Sequence, residues 1–259
     1  MNSTVLITGA TGGLGREFAE ISAKDGNGLL LTARNAHKLE EMKQALEKKY
    51  GVRVSVFACD LSEPDGADRV YAFASENEIA VDVLINNAGF GDFGEFTSCD
   101  YEKQREMVNL NVLALMRLTY MFAPAMVNNG SGKILNVASI ASFQPGPLMS
   151  VYYASKAFVL SFSEALSVEL RKKGVTVTAL CPGPVRTGFE ERASLSNSGL
   201  FKNLKVASAE KVARFGYKKM KKGKAVAVQG GNNRFLIFMS RFAPRSLVRR
   251  IVYKIMKLR

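Results

Sequence analysis

Tyr152 and Lys156 stand four residues apart in a segment with helical apolar spacing, so they share one face and their side chains can meet. A phenol ionises at about pH 10. A neighbouring ammonium favours the phenolate and brings the tyrosine toward acid–base work at neutral pH. Alone, such a pair also fits a solvated helix face. Tyr153 has Ala157 rather than a cation at the same spacing. Ser139, at the end of an apolar run, adds a hydroxyl able to donate to a substrate oxygen. His37 is the only histidine, and Cys59, Cys99 and Cys181 are odd in number, far apart and without a CxxC spacing. A Ser-His-Asp triad, a metal site and a disulfide framework are therefore not expected, and a reducing, cytoplasmic setting is. Proton transfer falls to a residue other than histidine.

A second group of residues points to phosphate. TGATGGLG at 8–15 lies between a β-rich apolar run and a helical pattern. Glycines 9, 13 and 15 permit a tight turn and close approach of a pyrophosphate, and the helix N-terminus adds amide donors and partial positive charge. The first strand-to-helix junction of an alternating pattern is where dinucleotides bind. Asn86-Asn87-Ala88-Gly89 ends another apolar run; its small residues let a ribose lie against the strand end, although a loop cap reads the same way.

The elements that must position these groups alternate. Strands are predicted over 4–8, 28–32, 52–58, 81–86, 133–138, 175–181 and 225–228. Helices are predicted over 14–24, 39–50, 65–76, 101–127, 152–173 and 210–221, with a loop over 182–207. This is the pattern of an α/β fold: one domain, with a doubly wound parallel sheet as the middle of three layers. At 259 residues one core suffices. No apolar run approaches the roughly 20 residues of a spanning helix, and the chain enters a strand at once, so no leader is expected. Charge is uneven: residues 201–259 hold 17 Lys and Arg against the single acid Glu210, whereas residues 1–200 hold 19 against 22.

Taken together these residues resemble the short-chain dehydrogenase/reductase family in its compact branch. The resemblance runs from Thr4 to about Thr187 and rests on TGxxxGxG at 8–15, NNAG at 86–89, Asn111, Ser139, Tyr152 and Lys156, and Pro182-Gly183 with Thr187. It implies a Rossmann fold and an enzyme that moves a hydride between a nicotinamide dinucleotide and a carbonyl or secondary alcohol. It implies Tyr152 as acid or base, Lys156 as its tuner and as holder of the nicotinamide ribose, and Ser139 as the group that polarises the carbonyl. It implies Asn111 as holder of a relay water; Asn109 competes for that role, but its distance from Pro124 fits less well. The implied cofactor contacts are Gly9, Thr11, Gly12, Gly13, Leu14, Gly15, Arg34, Asp60, Leu61, Asn87, Ala88, Gly89, Tyr152, Lys156, Pro182, Gly183, Val185 and Thr187. A non-catalytic nucleotide-binding regulator is the competing class, against which the intact Ser139, Tyr152 and Lys156 set argues. A sugar-nucleotide epimerase would need more chain after position 187.

Cofactor choice follows from charge. An acid after the second strand would bond the adenosine ribose and repel a 2′-phosphate. Here Ala33 and Arg34 stand instead, and arginine pairs with phosphate and stacks on adenine, so NADP(H) is expected. Gly12 counts against this, since NADP-preferring relatives often carry a basic residue there. A lid over 188–207 with Phe189, Leu195, Leu200 and Phe201, and a wall of Phe143, Pro145, Leu148 and Met149, predict a lipophilic carbonyl or alcohol substrate such as a ketone, a 3-oxoacyl chain or a steroid-like alcohol. Residues 1–231 are expected to form the catalytic domain and 232–259 a basic amphipathic tail. From Arg245 on, the tail fits peripheral membrane contact or packing on the domain, and not nucleic acid. The two long helices predict a homodimer or homotetramer.

Overall fold

The computed structural model describes residues 3–186, 188 and 206–257. Seven parallel strands form the sheet, in the order β3-β2-β1-β4-β5-β6-β9. They are β1 (Thr4–Thr8), β2 (Gly28–Ala33), β3 (Val54–Ala58), β4 (Val83–Asn86), β5 (Gly132–Val137), β6 (Val175–Cys181) and β9 (Val226–Val228). Two short strands, β7 (Val185–Arg186) and β8 (Ala207–Ser208), pair apart from it. The order turns back between β1 and β4, which leaves a crevice at their carboxyl ends, the place where open α/β sheets bind ligands.

Helices cover both faces because the strands are apolar on both. On one side α1 (Gly13–Lys24), α2 (Ala36–Tyr50) and α7 (Ala209–Lys221) bury Phe18, Leu39 and Val212 against Val5, Ile7 and Leu31. On the other, α3 (Gly66–Glu76) and α5 (Leu115–Asn128) bury Val70, Leu118 and Met126 against Leu6, Leu84 and Ile134. Caps agree with sequence: the Asn35 side chain accepts from Lys38 N at the start of α2, and Gly51 ends that helix with φ 65°.

The 101–127 prediction needs correction in detail. The segment comprises α4 (Tyr101–Val108), a π-helical stretch (Asn109–Ala114) and α5. Such a widened turn often lies at a functional site, and this one carries Asn111. The expectation that nothing is long and apolar enough to cross a bilayer is also corrected: Tyr101–Asn128 meets that test, with mean hydropathy 1.4 over its best window. Its apolar excess has a local reason, since Leu115, Leu118, Phe122 and Met126 are buried in the two cores it touches. The predicted 152–173 helix runs instead as α6 (Ser150–Glu169) followed by a single tight turn (Arg171–Lys173). After β9 come α8 (Gly231–Ser240), which sequence reading did not anticipate, and α9 (Arg245–Lys257). Val252 and Met256 of α9 bury in a cluster with Ala141, Met149 and Tyr153, so this helix packs on the body of the domain.

Candidate active site

The glycine-rich turn and NNAG are laced into one unit. The main-chain N–H groups of Asn87 and Ala88 donate to Thr8 Oγ1 at 3.0 and 2.9 Å, and Asn87 Nδ2 donates to the carbonyls of Thr8 and Gly9 at 2.9 and 3.2 Å. Gly9 takes φ 64°, a conformation a side chain would resist. A Cβ on Gly15 would lie 2.2 Å from the Gly9 carbonyl oxygen, so Gly15 serves the close packing of α1 on the turn. Gly12 caps α1 in an extended conformation without any side-chain hydrogen bond. The first-turn amides of α1 are therefore left to an outside acceptor.

A cavity of about 830 Å³ runs from this turn across the carboxyl ends of β1, β4, β5 and β6. It is lined by Gly9, Thr11, Gly12, Gly13, Leu14, Arg34, Asp60, Leu61, Asn87, Ala88, Gly89, Tyr152, Lys156, Pro182, Gly183 and Val185. Gly15 is not in this lining, and Thr187 lies outside the described residues. Arg34, 71% exposed, faces Asp60 at 3.9 Å. Asn35 and Lys38 also line this end and were missed in the sequence; their signal was the cap position and first turn of α2. Cys59 Sγ bonds the Gly66 carbonyl at 3.4 Å and is structural.

Ser139, Tyr152 and Lys156 meet at the middle of the cavity. Ser139 caps a tight turn (Ile140–Phe143) and accepts from Ala141 N at 3.1 Å. Ser142 Oγ donates to the Lys156 carbonyl at 2.7 Å and accepts from Ser139 N, which fastens the serine turn to α6. Tyr152 is half-buried. Withdrawal from water pushes its phenol up to about 12, against the pull of a hydrogen bond from Ser139. Burial pushes the Lys156 ammonium down to about 8. Its Nζ donates to the Val137 carbonyl at 2.9 Å and stands 5.9 Å from the Tyr152 ring centre. The expected lowering of the phenol by Lys156 is thus corrected: desolvation dominates, and the ammonium points at a main-chain oxygen. Tyr153 is 7% exposed and packs beneath Gly146, where a Cβ would lie 2.1 Å from its ring.

Asn111 stands behind the cavity wall. Its Nδ2 donates to the Phe90 carbonyl at 2.9 Å and to Ser155 Oγ at 3.1 Å, while its Oδ1 accepts from Phe90 N at 3.1 Å. A Cβ on Gly89 would lie 2.8 Å from Asn111 Oδ1 and 3.3 Å from Lys156 Nζ. Asn109 donates to the Ser62 carbonyl at 3.1 Å, away from the tyrosine. A buried ladder unseen in the sequence braces the site: Asn86 Nδ2 bonds Thr119 Oγ1 and Asn136 Oδ1, and Asn136 Nδ2 bonds Ser163 Oγ. Its signal was one asparagine at the same register position of two otherwise apolar strands.

Away from the glycine turn the lining includes an apolar group, Met149, Leu236, Val252, Ile255 and Met256, together with Gln144 and the charged Asp100, Glu102, Lys103 and Glu106. Of the expected wall only Met149 takes part; Phe143 and Leu148 pack into neighbouring clusters, and Pro145 is not in the lining. Phe189, Leu195, Leu200 and Phe201 lie outside the described residues.

The profile of the short chain dehydrogenase family matches residues 3–197. The very-long-chain 3-oxoacyl-CoA reductase of Laccaria bicolor is 37% identical over 177 residues, 68% of this chain and 52% of that one. Its counterpart in Rattus norvegicus is 35% identical over 187 residues, 70% of this chain and 59% of that one. The chain spans little more than half the length of these two relatives. The sulfoacetaldehyde reductase of Chromohalobacter salexigens is 36% identical over 222 residues, 82% of this chain and 86% of that one. Among solved structures, a short-chain dehydrogenase from Sphingobium yanoikuyae in complex with NADPH superposes with a TM-score of 0.83 at 31% identity, covering 93% of this chain and 94% of that one.

Proposed function

The chain belongs to the short-chain dehydrogenase/reductase family of oxidoreductases, and from that premise we propose that it reduces a lipophilic carbonyl compound to the alcohol with NADPH. The observation that carries this reading is the convergence of Ser139, Tyr152 and Lys156 on one cavity with the glycine turn at one end and an apolar wall at the other.

The residues fit a nicotinamide dinucleotide. The uncapped start of α1, with Gly12 and Gly13 at the cavity surface, is built for a pyrophosphate. Arg34 is the group for a 2′-phosphate and the adenine, with no acid at position 33 to repel it. Asp60 and Leu61 flank the adenine end, and Lys156, Asn87–Gly89 and Pro182–Val185 the nicotinamide end. When bound, the dinucleotide supplies the hydride.

The protein supplies placement and the proton. Ser139 Oγ holds and polarises the carbonyl oxygen, and Tyr152 donates to it. A phenol pushed up to about 12 keeps its proton at neutral pH, which suits the acid role of reduction. Lys156, at about 8, is mostly charged at pH 7 and lines the nicotinamide end, where it is placed to hold the ribose hydroxyls. Asn111 acts through the Phe90 main chain as a positioning residue. The apolar far wall favours a bulky hydrophobic ketone, 3-oxoacyl or steroid-like substrate. Exposed Met116 and Tyr120 on α5 and Phe158 and Val168 on α6 support pairing of these helices between copies as a dimer or tetramer.

The test follows NADPH absorbance with steroid, 3-oxoacyl and short ketones side by side. Turnover of a bulky ketone, faster with NADPH than with NADH, is expected. Tight NADPH binding with no carbonyl consumed across the panel would favour the regulatory protein instead.

A further inference from the structure

The C-terminal helices carry more apolar surface than the domain covers. Phe235, Phe238, Met239 and Phe242 recur at helical spacing along α8 and the turn after it, and all four are exposed, Phe235 by 63% and Phe242 by 72%. Phe238 and Phe242 touch edge to face at 5.1 Å. On α9 the ridge Val248, Val252 and Met256 packs inward, while the adjacent ridge Leu247, Ile251 and Ile255 stays exposed. Arg250, Lys254 and Lys257 border that second ridge and are exposed as well. No acid occurs in residues 211–259. Exposed apolar residues in this number, bordered on α9 by basic side chains, mark a docking face.

We propose that the α8–α9 face docks on an anionic lipid surface, with Phe235, Phe238, Phe242, Leu247 and Ile251 sunk at the headgroup boundary and the basic rim on lipid phosphates. Charge selects this occupant. A second copy bound face to face through a two-fold axis would set Arg250, Lys254 and Lys257 against their own equivalents, with no acid in either tail to offset them. The cavity reaches the same face, because Leu236 and Ile255 line it and are themselves exposed. A lipophilic carbonyl dissolved in the bilayer then reaches Tyr152 without crossing water; this last consequence rests on the proposed function, whereas the docking does not.

Flotation of the full chain with vesicles of phosphatidylcholine alone, or mixed with phosphatidylglycerol, tests the docking. Binding to the anionic vesicles only, reversed by salt, is expected. The variant F235S/F238S/F242S should bind at least tenfold less. R250Q/K254Q/K257Q should lose about fivefold per basic residue. Both should keep the parent's melting temperature and NADPH affinity, since none of these residues lines the cavity. Wild-type protein that stays off anionic vesicles, an aromatic variant that floats as well as the parent, or a solution dimer that the aromatic changes split would each overturn the proposal. A parent protein that reduces ketones but does not float sinks the docking alone; a parent that floats but reduces no ketone sinks the enzymatic reading alone.

Discussion

The two ends of the cavity are built from different materials. At the glycine-turn end the wall is largely main chain, held by Asn87, Thr8 and the close contact of Gly15 on Gly9. Elsewhere it is side chain, assembled from Met149 on one segment and Leu236, Val252, Ile255 and Met256 on others 87 to 107 residues away. The first kind of wall tolerates almost no substitution, because a backbone cannot step aside. The second tolerates many, because apolar side chains of similar volume replace one another. One end is thereby committed to a single ligand class, and the other is free to change substrate.

The largest effect that would sharpen this contrast is expected at Gly15. In Gly15→Val the new Cβ meets the Gly9 carbonyl, for about 3 kcal/mol or more of overpacking. Soluble yield should collapse, or NADPH binding should fall beyond detection in a fluorescence titration. Near-normal binding would show that the turn yields.

Lys156→Met should cut turnover by more than about a hundredfold yet raise stability. The folded-state value, down from 10.5 to about 8, means that the unfolded chain binds the extra proton between those values, so stability rises with pH across that window and the penalty is complete below it. That penalty is about 3 kcal/mol at pH 7. Less about 1 kcal/mol for the lost bond to Val137, the variant should melt about 4–8 °C higher. A lower melting point by calorimetry at pH 7 would mean that the buried ammonium is not costly.

Arg34→Asp should weaken NADPH binding about ten- to a hundredfold while leaving NADH within a few fold; equal losses for both in titration would remove the charge argument. The smallest effect is expected at the side-chain end. Ile255→Ser should raise KM for a bulky apolar ketone about three- to tenfold with the NADPH Kd unchanged. A change in NADPH affinity instead would show that the ends are not separate.

The same contrast explains what could be read from sequence. The strands and the fold were legible, and so was the glycine-and-asparagine lining of the cavity, because main-chain chemistry demands particular residues, Gly and Asn, at fixed local spacing. Gly15 lies outside that lining, and a glycine needed for helix packing looks the same in sequence as one needed for ligand approach. The apolar wall was misplaced onto Phe143, Pro145 and Leu148 because contacts between distant segments leave no spacing to count. Helix α8 was missed since GNNRFLIFMS opens on Gly and Asn and continues without the alternation of polar and apolar faces that marks a covered helix. The direction of the Tyr152 shift was misread for a related reason: sequence places a cation one turn away, but only coordinates show that Lys156 turns to the Val137 carbonyl and that burial wins.

The proton on Tyr152 is where both ends meet, and one comparison addresses it most directly: turnover and NADPH affinity of Tyr152→Phe beside the parent, on the best ketone of the panel. Turnover should fall about 10²- to 10⁴-fold while the NADPH Kd stays within about threefold, since the change removes one oxygen from the wall and nothing from the glycine turn. A Tyr152→Phe enzyme that keeps its turnover within a few fold would contradict the assignment of Tyr152 as the acid.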